Sequence, residues 1–336
     1  MPAEWAPHAA TWIGWPHEKR DWPKRFAPIP WAYSELTRLI SRYEPVKILA
    51  GTAALEASAR HILGNVGVPT SRVEFHRVPT DRVWTRDSGA IFVTNARGQR
   101  IATQWNFNGW AKYPNHKRDK KVSGRMAAAV GVEAYNATVA GRPIVLEGGA
   151  LDVDGAGLLL ATEECLLSDV QARNPGLGRA GTEKVLKDVL GVKRVVWIGH
   201  GIVGDDTHGH IDDVARFVAP GRVLLCAEKN ERDENYRLLR DNLDRLTAEK
   251  LDVVLLPMPA PMVFNGQRVP ASYANFYVVN GGVIVPTFND PRDREALGII
   301  AECFPDHEVV GFHAVEFVWG LGTVHCATQQ EPAGKR

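Results

Sequence analysis

The chain has 336 residues, 45% hydrophobic and 24% charged, with 40 Lys plus Arg against 39 Asp plus Glu for a formal charge of +1. Such a composition can bury a full core, and the near balance of charge argues against a dedicated nucleic-acid binder, which needs a basic face. No apolar run approaches the ~20 residues that span a bilayer, and Met1–Trp5 lacks a basic-then-apolar leader, so a cytoplasmic protein is expected. Cys165, Cys226, Cys303 and Cys326 have no CxxC spacing, which fits neither a disulfide scaffold nor a structural zinc site.

In chain order, apolar spacing predicts a helix over Trp31–Tyr43 and a strand over Val46–Ala50. A second helix and strand follow at Ala53–Leu63 and Val73–Val78. After the polar stretch Pro79–Gly89 come strands at Ala90–Thr94 and Arg100–Trp105. A helix near Asp119–Val130 precedes an apolar strand at Ile144–Leu146, and another strand is expected at Gly157–Thr162. Gly181–Leu190 reads as helix and Arg194–Ile198 as strand; the polar segment Gly199–Asp212 leads to a hairpin with Pro220-Gly221 at its tip. Asp233–Lys250 is the clearest amphipathic helix, followed by strands at Val253–Leu256, Ser272–Val279 and Val283–Val285. The helix Arg292–Cys303, the strand Glu308–Phe312 and the segment Val315–Gln330 complete the chain.

This grammar repeats as helix, strand, polar loop and two strands, at intervals of roughly 50–65 residues, which suggests copies of one unit stacked around an axis. Six helix-plus-strand pairs are countable, one of them an embellishment. Ala9–Trp15 is expected to pair with the last strand and close the ring, hiding its edges. In a closed ring the polar loops meet at one end. Residues near positions 87, 147, 210 and 326 then share a pocket.

Gly204–Asp213 is the densest polar cluster, with His208, His210 and four Asp. A solvated loop, a metal site on His208 and His210, and an acid/base imidazole beside a carboxylate are all open readings of it. In the last reading His210 and Asp212 enter a strand on one face. Cys326 follows the Gly-rich turn Gly320-Leu321-Gly322; the glycines favour a nucleophile there, while the other three cysteines read as small buried hydrophobes. Trp84-Thr85-Arg86-Asp87 lies in a loop, and Glu147 ends the apolar run Ile144–Leu146, where a carboxylate is costly unless paired or serving a ligand.

Together these segments resemble the agmatine deiminase and bacterial peptidylarginine deiminase family of the guanidino-group-modifying superfamily. The resemblance rests on Met1-Pro2-Ala3-Glu4-Trp5, Trp84-x-Arg86-Asp87-x-Gly89, Glu147-Gly148-Gly149, Thr162-Glu163-Glu164-Cys165-Leu166-Leu167, Gly204-Asp205-Asp206-Thr207-x-Gly209-His210-Ile211-Asp212 and His325-Cys326-x-Thr328-Gln329-Gln330. It spans the chain in order. It implies an α/β fold, a five-bladed pseudo-symmetric propeller of ββαβ units forming one domain over residues 1–336.

The resemblance further implies Cys326 as nucleophile, His210 as general acid/base, Asp87 and Asp212 as the carboxylates gripping a guanidinium, and Glu147 as the group orienting His210. Trp84 and Asp206 are the further substrate contacts it suggests. No metal or cofactor is implied. The expected partner is a small guanidine, with neither nucleic acid nor membrane, and a homodimer is a possible assembly. Agmatine is the expected substrate; arginine, peptidyl-arginine or another alkylguanidine is the alternative, with a metal-dependent hydrolase or a non-catalytic guanidine binder more remote. The chain departs from the family pattern at Ala90, Leu321, Thr323, Ser168–Ala172 and Trp110–Tyr113, where recognition of the substrate tail is expected to vary. An arginine-reading pocket needs an extra cation, and Lys112, Arg118 and Arg268 are the candidates.

Overall fold

The computed structural model describes residues 1–334; the expected domain also takes in Lys335 and Arg336, which lie outside the described residues. Five sheets repeat one connectivity: an antiparallel strand pair, a crossover helix, and a third strand parallel to the second. Ile91–Thr94, Arg100–Gln104 and Glu133–Asn136 form one such unit around the helix Val122–Val130. Asp152–Val153, Leu158–Thr162 and Arg194–Ile198 form the next around Gly178–Leu190. Ala215–Ala219, Arg222–Ala227 and Asp252–Pro257 follow with Glu234–Ala248, then Tyr277–Val279, Gly282–Thr287 and Glu308–His313 with Asp293–Cys303.

The remaining unit joins the two ends of the chain. Thr328–Pro332 runs antiparallel to His8–Gly14, with Gln329 opposite Trp12, and Val46–Leu49 pairs parallel beyond it. The helices Ile29–Ser41 and Ala53–Asn65 make the crossovers, the second adding Val73–His76 as a fourth strand. That extra pair is the embellishment among the six. The ring therefore closes through Ala9–Trp15, as its apolar run predicts.

Burial runs from the axis outward. The first strand of each unit is almost wholly buried, whereas the third strands Glu133–Asn136, Asp252–Pro257 and Glu308–His313 are largely exposed or half-exposed. Neighbouring first strands pack together, Thr328–Pro332 on Ile91–Thr94 and Asp152–Val153 on Ala215–Ala219. The five sheets thus stand around an axis as propeller blades. The crossover helices bury one face each; Tyr33, Leu36 and Ile40 do so in Ile29–Ser41. Local signals set their limits. Thr52 accepts a hydrogen bond from the Leu55 amide at 3.1 Å, Asp233 one from Asn235 at 2.8 Å, and Gly191 at φ 69° ends Gly178–Leu190 in a left-handed cap.

Three expectations fail. The strand expected at Ser272–Val279 begins only at Tyr277, because Ser272–Asn275 folds as a turn. Ile144–Leu146 is not a strand; its only pairing among the described residues is a single bridge from Val145 to Asn106. The strand that completes that unit is Glu133–Asn136, exposed at all four positions and therefore without an apolar pattern. Nor do His210 and Asp212 enter a strand. They lie in and just before a 3-10 turn, Ile211–Asp213, and the strand begins at Ala215.

Candidate active site

Short turns lead into the buried first strands and carry the polar residues to one end of the axis. Thr85–Ser88 holds Asp87, Gly148–Ala150 follows Glu147, Ile211–Asp213 holds Asp212 beside His210, and Val324–Ala327 holds Cys326. A turn at the mouth of a buried strand leaves its polar side chains on the axis, where the alternation of the strand would bury apolar ones.

A cavity of about 250 Å³ opens here, lined by Trp84, Asp87, Asp206 and Cys326, with Trp110, Tyr113 and Trp319 among its aromatic walls. Trp84 is held by an aromatic layer behind it, 5.5 Å from Trp22 between ring centroids. His210, Asp212 and Glu147 lie beside this lining. The Cys326 sulfur is 3.8 Å from Asp212 Oδ2, and His210 Nδ1 is 4.0 Å from Asp212 Oδ1 and 3.8 Å from Asp87 Oδ1. The opposite ring nitrogen, Nε2, faces Glu147 Oε2 at 3.9 Å. Asp212 therefore links the sulfur to the imidazole. All five groups expected to act together converge.

The supports are specific. Asp87 accepts hydrogen bonds from Trp110 Nε1 at 2.9 Å and from the Gly149 amide at 3.0 Å. A Cβ at Gly149 would stand 2.5 Å from His210 Nδ1, so only glycine allows this approach. Asp205 accepts from the His210 and Gly209 amides, both at 2.9 Å, fixing the backbone below the imidazole.

Electrostatics sort the groups into two kinds. Burial pushes the Asp87 carboxyl up to about 6; His210 opposes this, and the Asp212 and Glu147 charges add to it. Burial likewise opposes ionisation of Glu147, but the Arg173 guanidinium, 3.1 Å away, and His210 hold its carboxyl at about 2. Burial also opposes a charge on His210, yet Asp87, with Cys165 and Glu147, raises the imidazole well above the ordinary histidine range. Burial pushes the Cys326 thiol well up, and Asp212, Asp213 and Asp87 push it further. Both directions favour a charged imidazole and a protonated sulfur. Asp212 Oδ1 and His210 Nε2 are buried with no hydrogen-bond partner among the described residues.

The structure separates the two histidines of the metal reading. His208 Nε2 meets Ser168 Oγ at 3.2 Å and Nδ1 is 3.7 Å from Glu164, whereas His210 turns toward Glu147 and Asp87. Lys112, Arg118 and Arg268 do not line the cavity; they face Asp206, Asp81 and Asp233. The lining cations are Arg20 and Arg82, and each already faces a carboxylate, Glu18 and Asp21. Asp206 accepts from Tyr113 Oη and lies 3.4 Å from Lys112 Nζ.

Sequence reasoning assigned no role to several buried groups. His325 places its ring nitrogens 2.6 Å from Asp212 and 2.7 Å from Glu4, holding the back of Asp212. Arg173 neutralises Glu147. Cys165, expected as a buried small hydrophobe, is buried but beside His210: its sulfur, a Glu147 oxygen and a His210 ring nitrogen lie within 4.8 Å of one another. His325 and Cys165 stand inside motifs quoted above and Arg173 in none, but a place in a motif carries no direction for the side chain.

A closed α/β propeller with a thiol, an imidazole and carboxylates at one end of its axis is the kind of molecule the fold and cavity define. A sequence model described as Porphyromonas-type peptidyl-arginine deiminase matches residues 1–332, and the chain belongs to that family. It is 36% identical to an agmatine deiminase of Pseudomonas aeruginosa, the match covering 100% of this chain and 96% of that protein. Among solved structures, agmatine deiminase of Enterococcus faecalis superposes with a TM-score of 0.90 at 32% identity, covering 99% and 95% of the two chains. A cysteine-to-serine variant of the agmatine deiminase of C. jejuni, solved with substrate bound, gives a TM-score of 0.90 at 28% identity and covers 100% and 96%.

Proposed function

We propose that this protein hydrolyses agmatine to N-carbamoylputrescine and ammonia through a covalent Cys326 intermediate. The observation that carries the reading is the convergence of Cys326, Asp212, His210 and Asp87 through successive separations of 3.8, 4.0 and 3.8 Å, with Asp212 between the sulfur and the imidazole. A guanidinium carbon is a weak electrophile because its charge is spread over three nitrogens. Asp87 and Asp212 offer carboxylate oxygens to its N–H groups, and Asp212 Oδ1 has no other hydrogen-bond partner.

The bound cation offsets the field of the carboxylates that disfavours the thiolate. As the cation enters, the thiol gives up its proton to solvent, and the thiolate attacks the guanidinium carbon. Imidazolium His210 gives its proton to the departing nitrogen, which leaves as ammonia while an amidino-thioether remains. The now neutral His210 takes a proton from water, hydroxide adds to the carbon, and collapse breaks the C–S bond, returning the thiolate and freeing the hydroxyl proton, which ammonia carries away as ammonium. The sum is one water consumed and one ammonium released with the ureido product. Glu147, kept ionised by Arg173, steadies the imidazolium through Nε2.

Agmatine is favoured over arginine because both lining cations already face carboxylates, leaving the cavity wall without a free partner for a substrate carboxylate among the described residues. The aromatic walls Trp84 and Trp110 offer their faces to the cationic tail, beside Asp206, which is shared with Tyr113 and Lys112. A panel of agmatine, arginine and peptidyl-arginine, read by ureido product, tests the substrate. Acid quench of the agmatine reaction is expected to leave an amidino mass increment on Cys326. Ammonia release by Cys326→Ala at the wild-type rate would overturn the mechanism; a loss of at least about 10⁴-fold is expected.

A further inference from the structure

Four of the five blades place a chemically active residue in the turn before the first strand. The fifth does the same with a neutral amide. In the blade that starts at Tyr277, the turn Ser272–Asn275 leads in, and Asn275 stands two residues before the strand, as Cys326 stands two residues before Thr328. Asn275 is fully buried. Its Oδ1 accepts from Thr323 Oγ1 at 2.6 Å and from the His325 amide at 3.0 Å. A backbone amide can only donate, so the atom facing it must be the carbonyl oxygen, and the hydrogen-bond network alone settles the orientation of the side chain. The NH₂ group must then face the other way. It lies 3.2 Å from Cys326 Sγ and 3.0 Å from Asp213 Oδ1.

We propose that Asn275 is a further catalytic residue, donating one N–H to the Cys326 sulfur and favouring its thiolate both before attack and on release of the ureido product. The inference rests on Cys326 being the nucleophile. A hydrogen bond to a charged acceptor is about twice as strong as one to a neutral acceptor, so the same N–H stabilises the thiolate more than the thiol. The need is clear from the surroundings. The sulfur is buried and lies with Asp212 and Asp213 in one cluster, whose carboxylates work against a second negative charge. Asn275 supplies a donor without adding a cation that would repel the guanidinium. Its oxygen meanwhile ties the amide to the loop bearing the nucleophile, so donor and sulfur move as one body.

The test uses the free protein and iodoacetamide, with alkylation of Cys326 followed by mass spectrometry at fixed pH. Asn275→Ala removes the donor, and Asn275→Asp keeps the shape and the accepting oxygen. Both are expected to slow alkylation, and kcat for ammonia release, by about tenfold to a hundredfold, with KM changed far less. Thr323→Val loosens the same loop but leaves the amide on the sulfur, and is expected to alkylate at close to the wild-type rate. Wild-type alkylation in Asn275→Ala, or equal slowing in Thr323→Val, overturns the proposal. If Asn275→Ala does not fold, Asn275→Asp carries the measurement. Alkylation needs no guanidine, so an inactive wild-type protein would sink the deiminase reading and leave this result standing separately.

Discussion

Two buried polar clusters meet at Asp212, and they are built on opposite principles. Around Glu4, charges are balanced: Glu4 lies 2.9 Å from Arg216 and 3.3 Å from Arg86, Arg216 lies 3.3 Å from Asp152, and His325 bridges Glu4 to Asp212. Burial opposes its ionisation, yet Arg216 and His325 hold the Glu4 carboxyl well below the usual range. Around His210, by contrast, carboxylates crowd one imidazole and a thiol, and Asp212 Oδ1 and His210 Nε2 lack hydrogen-bond partners. The first arrangement stabilises the fold. The second keeps an unspent acceptor, Asp212 Oδ1, where a cation could arrive from outside.

The contrast breaks most visibly at Asp87. Asp87→Asn is expected to lower kcat/KM by about 10³-fold, since a buried charge for the guanidinium is lost. Stability is expected to hold or rise. The folded pKa of about 6 lies above the ordinary 3.8, so the protein favours the protonated form. That contribution is present below the unfolded value and lost as pH rises through about 6, a cost of about 3 kcal/mol at neutral pH. Asparagine removes it and gives up one accepted hydrogen bond, about 1 kcal/mol. A lower melting temperature in Asp87→Asn would refute the distinction between the clusters.

Glu4→Gln should do the reverse. Leaving Arg86 and Arg216 short of a buried counter-charge is expected to cost about 3–5 kcal/mol in a denaturant titration, with kcat falling less than tenfold at temperatures where the variant is folded. Activity lost without stability would place Glu4 in the catalytic set instead.

A pH series sharpens the same point. Protonated Asp87 cannot hold the cation, so kcat/KM for agmatine is expected to fall about tenfold per pH unit below about 6. A flat profile down to pH 5 would remove Asp87 from guanidinium binding. The smallest effect belongs to the outer ring: Thr52→Ala deletes a helix cap and is expected to cost about 1 kcal/mol with unaltered kinetics, as read by thermal melting and steady-state assay.

Much of this molecule is written in local spacing. The apolar periodicity locates most crossover helices and inner strands, and the apolar Ala9–Trp15 announces the pairing that closes the ring, because burial at the axis demands apolar residues there. The exposed strand Glu133–Asn136 escapes for the complementary reason: a strand exposed at every position carries no hydrophobic pattern. Ile144–Leu146 misleads because its three apolar residues are buried by packing, with only one bridge.

The order of Asp87, Glu147, His210, Asp212 and Cys326 along the chain, with Gly149 where His210 packs against the backbone, was determined by the sequence alone, since residue type and neighbouring backbone freedom are local properties. Tertiary structure alone decided which nitrogen of His210 faces Glu147, that His325 ties Asp212 to Glu4, which lies 321 residues before it in the chain, and that Asn275 turns its amide to the sulfur. Those outcomes depend on the angle at which each blade delivers its turn to the axis, and no spacing within one blade records the position of another.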